Sequence, residues 1–113
     1  MINGAHTIVY SRDADADRAF FRDVLGFPAV DAGGGWLLFA LPPSELAVHP
    51  ADTASHELFL MCDDLAQTMA ELKVRGVEFD DITQERWGVL TALTLPGGGR
   101  VALYEPRHPR AHA

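Results

Sequence analysis

A chain of 113 residues, 48% apolar and 22% charged, has the make-up of one globular domain and is too hydrophobic to be disordered. Its net charge of −7 and the lack of any Lys/Arg cluster exclude nucleic acid as an expected partner, because a phosphate backbone would be repelled. Cys62 is alone, so an intrachain disulfide is excluded. No apolar run approaches the roughly 18 residues of a membrane helix. Met1 to Tyr10 lack a basic start and a long apolar run, so the chain reads as cytoplasmic with no membrane partner.

In chain order, His6-Thr-Ile-Val-Tyr10 is rich in β-formers and predicts an opening strand. Asp13 then suits a helix N-cap, where its carboxylate can accept the free amide hydrogens of the first turn. Ala16, Phe20 and Val24 form an apolar stripe at helical spacing, and Gly26 suits the left-handed residue that ends a helix. Three extended segments follow, 27–31, 36–41 and 46–49, with Gly33-Gly-Gly35 as a turn between the first two. That glycine run sits between strands with no helix after it, which argues against a phosphate loop.

The second half repeats the plan. A shift of 50 residues lays His6 on His56, Asp13 on Asp63, Ala16 on Ala66 and Gly26 on Gly76. His56-Glu-Leu-Phe-Leu-Met61 predicts a strand, and Leu65, Met69 and Leu72 stripe a helix that Asp63 caps. Strands are expected at 77–82, 89–95 and 101–105, with Gly97-Gly-Gly99 as a turn. The fold class is therefore α+β, with two βαβββ modules at about 5–50 and 55–106 in one domain and a mobile tail at 107–113. Two copies are too few for a solenoid, so a paired, pseudo-symmetric sheet is expected.

Chemistry is expected where repeat symmetry gathers ligand-type side chains. His6 and His56 open the two halves, and His49 falls opposite Glu105 near their ends. Imidazole plus carboxylate suits Fe2+, Zn2+, Ni2+ or Mn2+, and the lone cysteine argues against a zinc knuckle or iron–sulfur cluster. A single histidine on an apolar strand is usually structural; four residues at equivalent positions carry more weight. Tyr10, Trp36, Phe39 and Trp87 are expected in the core or lining a substrate cavity. Cys62 reads as a buried thiol, Asp80-Asp81 as a solvated turn, and His108 and His112 as tail residues without function.

These motifs, together with Leu95-Pro-Gly-Gly-Gly99 and Leu103-Tyr-Glu-Pro106, resemble the vicinal oxygen chelate (VOC) superfamily, the glyoxalase, bleomycin resistance protein and extradiol dioxygenase group, from about His6 to Glu105. The resemblance implies a cupped mixed sheet around a divalent metal. It also implies His6, His56 and Glu105 as ligands, with His49 standing where glyoxalases carry a fourth ligand. The implied function is a metal-dependent enzyme, a glyoxalase-type lyase or isomerase or a dioxygenase. Its substrate would chelate the metal through neighbouring oxygens, with Glu105 and His49 as catalytic groups. The alternative is a metal-free drug-binding protein of the bleomycin-resistance type. A homodimer is expected on either reading, because a domain this small gains from burying surface against a partner.

Overall fold

The computed structural model describes residues 6–53 and 55–112. The first helix, α1 (Ala14–Ala19), starts where expected: the Asp13 side chain accepts the Ala16 amide at 3.1 Å. It runs into a π-helical turn, Phe20–Val24. That wider turn holds one more residue per coil, so Phe20 and Phe21 both reach the core. Gly26 follows at φ 74°, a left-handed conformation that only glycine adopts freely.

Strands β1 (Ala29–Asp31) and β2 (Leu37–Phe39) form an antiparallel hairpin. The Asp31 carboxylate closes its glycine turn by accepting from the amides of Gly33, at 2.7 Å, and Gly35. The second half supplies the main sheet, from β3 (Phe59–Met61), β4 (Thr83–Glu85), β5 (Gly88–Thr94) and β6 (Arg100–Pro106) in the order β3-β6-β5-β4. The β3/β6 pair is parallel and the other two pairs are antiparallel. Helix α2 (Leu65–Val74) buries Leu65, Met69 and Leu72, the expected stripe, in one core with Leu93, Val101 and Leu103 of the sheet and Leu95 just after β5. Gly76 ends α2 at φ 87°.

The second module is complete and the first is not. Residues 6–10 and 46–49, expected as strands, form none; segment 77–82 shrinks to one bridge, Phe79 to Leu93, with β4 just beyond it. Apolar β-formers need a paired neighbour to become a strand. Among the described residues neither 6–10 nor 46–49 has one, and Tyr10, Leu46 and Val48 are about nine-tenths exposed. The N-cap of α2 is Asp64 rather than Asp63: its carboxylate accepts the Gln67 amide at 3.0 Å.

The halves are joined through a buried carboxylate. Asp17 is 5% exposed and accepts the Gly97 amide at 2.8 Å, tying α1 to the β5–β6 turn. A Cβ on Gly97 would lie 2.6 Å from Ser11 Oγ and 3.0 Å from an Asp17 oxygen, so the turn needs glycine for close approach as well as for bending. Residues 108–112 lie against the rest of the chain: His108 meets Tyr104, while Arg110, Ala111 and His112 meet Ser44 and Glu45.

Candidate functional site: an aromatic cluster on the open sheet face

Side chains alternate along β6, so Val101, Leu103 and Glu105 point one way and Ala102 and Tyr104 the other. The first set meets α2. Leu60 lies beside Leu103 in register, and Leu58, Leu60 and Cys62 pack against the same core. The face that carries Leu58, Leu60 and Cys62 is thus the core face. Partial burial pushes the Cys62 thiol pKa up, which disfavours the reactive thiolate.

Glu105 accordingly sits on the helix side. Its Oε1 accepts the Leu65 amide at 3.0 Å, so with Asp64 it satisfies two of the free N–H groups at the start of α2, where negative charge is favoured. His6, His49 and His56 are exposed, outside any strand. Repeat symmetry gathers these four residues around one ion, but the structure does not bring them together. Among the described residues no group of three His, Cys, Asp or Glu side chains is placed to hold a metal.

The other face carries aromatic rings. Tyr104, nearly buried, packs edge-on against Trp87 at 5.3 Å and Phe59 at 5.7 Å between ring centres, and Phe59 lies 6.4 Å from Trp87. Such edge-to-face contacts align positive ring edges with negative ring faces. Gly88 makes room for this packing, since a Cβ there would stand 3.2 Å from the Tyr104 ring. The Tyr104 hydroxyl is 3.1 Å from His108 Nε2. Burial raises the Tyr104 pKa, and the nearby Glu45 charge raises it further. The Ala111 amide and the Arg110 guanidinium in turn hold the Glu45 carboxyl below its usual range. Beside this cluster an open cleft of about 630 Å³ is lined by Leu90, Ala92, Phe79, Asp80, Asp81 and Thr83.

Of the four residues expected at a cavity, Trp87 alone belongs to this cluster. Phe39 packs at the edge of the core against Phe21, the rings tilted with centres 5.8 Å apart. Trp36 lies exposed under the Arg18 guanidinium, 4.8 Å from its ring centre, and Tyr10 is exposed. Sequence alone does not single out Phe59, Tyr104, Glu45 or the tail residues His108 and Arg110 for this site. Their signal was the ending of an acidic chain in Arg107, His108, Arg110 and His112, a charge contrast that favours docking on the chain's own surface.

No protein-family model matches the chain, and no curated protein matches it. Solved structures do match. An antibiotic-binding protein, TnmS3 from Streptomyces sp. CB03234, is 23% identical with a TM-score of 0.67, covering 94% of this chain and 98% of that one. A lactoylglutathione lyase from Agrobacterium tumefaciens is 20% identical with a TM-score of 0.58, covering 91% and 92%. A glyoxalase/bleomycin resistance protein/dioxygenase superfamily member from Sphaerobacter thermophilus DSM 20745 is 23% identical with a TM-score of 0.58, covering 92% and 98%. The chain has the fold of that superfamily, the vicinal oxygen chelate fold. No helix among the described residues is long and apolar enough to cross a membrane.

Proposed function

We propose that this chain is a binding protein for a small aromatic molecule, which it holds on the face of the β3-β6-β5-β4 sheet turned away from α2, without a protein-bound metal. The observation that carries this reading is the division of labour in β6: Tyr104 faces the open side among Phe59 and Trp87, while Glu105 is engaged by α2 on the other. Aromatic walls with a few polar groups at their edge, here the Tyr104 hydroxyl and the Glu45 carboxylate, suit a flat organic ligand. The likeness to an antibiotic-binding protein supports the same reading. A fold shared with a lyase does not by itself bring the lyase's chemistry. The metal-dependent enzyme reading rests on His6, His56 and Glu105 meeting at one ion, with His49 as fourth ligand or base, and Glu105 would have to leave α2 to do so.

We infer also that the working unit is a homodimer. Ile8, Tyr10, Leu46 and Val48 leave two apolar stretches in solvent, and clustered exposed apolar side chains mark an interaction surface. Pairing with a second copy would supply the neighbouring strands that these stretches lack.

The test of function is a thermal-shift screen of planar aromatic compounds, neutral and cationic, on the wild-type and Trp87→Leu proteins. Compounds that stabilise the wild type and not the variant support the reading. Stabilisation by Fe2+, Zn2+, Ni2+ or Mn2+ that is lost in Glu105→Ala would support the enzyme instead.

A further inference from the structure

We propose that residues 107–112 form a strap that closes the aromatic face and must lift before a ligand can enter, an inference that rests on the binding reading above. The strap leaves the end of β6 with the Arg107 amide donating to the Trp87 carbonyl at 2.8 Å. His108 then lies against Tyr104, its ring centre 6.0 Å from that of Tyr104 and its Nε2 at the Tyr104 hydroxyl. Its Nδ1 lies 2.7 Å from the Pro109 carbonyl, which fixes the ring.

The far end is anchored on the first half of the chain. Arg110 Nε lies 3.5 Å from Glu45 Oε1, the Ala111 amide donates to Glu45 Oε2, and His112 Nε2 lies 2.8 Å from the Ser44 carbonyl. The strap therefore crosses from β6 to segment 44–45 with Tyr104 beneath it. Its fastenings are one ion pair and a few hydrogen bonds at the surface. Contacts of that kind are individually weak, so they hold a segment closed without locking it.

Arg110 also indicates what the strap competes with. It presents a planar cation to Glu45 beside aromatic rings, and when it lifts, Glu45 is left as an unpaired carboxylate at the rim. A ligand with a ring for Tyr104 and Trp87 and a positive group for Glu45 would replace the strap contact for contact. A site that is open only part of the time binds more weakly by the open fraction, and a change that favours opening restores affinity.

The test uses the full chain with Trp36→Phe, which leaves Trp87 as the only tryptophan, and benzamidine, whose amidinium and ring copy the two elements. In this background Arg110→Ala should raise both acrylamide quenching of Trp87 and benzamidine affinity about two- to fivefold, the range set by one exposed ion pair. The charge-reversed pair Glu45→Arg with Arg110→Glu should return quenching to the parent level. Unchanged quenching in Arg110→Ala, in a protein with parental cooperative unfolding, overturns the strap. Increased quenching without benzamidine binding in either protein keeps the strap and counts against the ligand reading.

Discussion

The Glu105 carboxylate accepts a hydrogen bond from the Leu65 amide at 3.0 Å, which makes the residue expected at a metal a second cap for α2. Glu105→Ala should therefore lower stability by about 1 kcal/mol, as the loss of a helix cap does. Glu105→Gln, which keeps an acceptor, should lose less. Urea denaturation measures both, and equilibrium dialysis against Zn2+ or Mn2+ should return the same metal content for all three proteins.

Gly97 and Asp17 behave as one unit, because the amide of one fills the buried carboxylate of the other. Gly97→Ala should destabilise by about 1–3 kcal/mol through its clash with Ser11 and Asp17. Asp17→Ala should cost a similar amount by stranding the amide. The double variant should lose less than the sum of the two single losses, since both act on the same contact.

Much of this architecture is legible in the sequence, and the illegible parts have physical reasons. Asp13, Gly26, Gly76 and the Leu65, Met69, Leu72 stripe act locally, through caps and helical spacing, so their roles survive the reading from residues to structure. The capping shift from Asp63 to Asp64 is a choice between adjacent equivalent carboxylates, which sequence does not separate. The facing of β6 is hidden for another reason: Val101 and Leu103 on one side and Ala102 and Tyr104 on the other are all apolar or aromatic. Alternation says that they divide and not which set meets the helix. Segments 6–10 and 46–49 have strand composition, but composition cannot provide a pairing partner.

Acid should open the strap. Glu45 is held below the ordinary carboxylate range by the Ala111 amide and Arg110, with smaller contributions from His112 and His108. A depressed carboxyl stabilises the closed form above its open-state pKa and loses that effect as pH falls through the lowered value. Trp87 quenching in the Trp36→Phe protein should thus be flat from neutral pH down to about 4.5, the ordinary value for this carboxyl, and rise below it. In Glu45→Gln it should be high throughout.

The exposed stretches around Ile8 and Val48 predict self-association. Light scattering at tens of micromolar, on the order of ordinary dimer affinities, should give twice the chain mass. Ile8→Lys with Val48→Lys should shift the protein toward monomer while α2 and its sheet keep their helical and β signals. A wild-type monomer at that concentration would contradict the dimer.

The binding face is tested most directly by residue-resolved NMR of the 13C,15N-labelled protein during a benzamidine titration. Saturable shifts are expected in the ring and side-chain signals of Phe59, Trp87, Tyr104 and His108 and at the Glu45 carboxyl, with His6, His49 and His56 unmoved. Shifts confined to those three histidines, or saturable binding that leaves Trp87 and Tyr104 untouched, would contradict it.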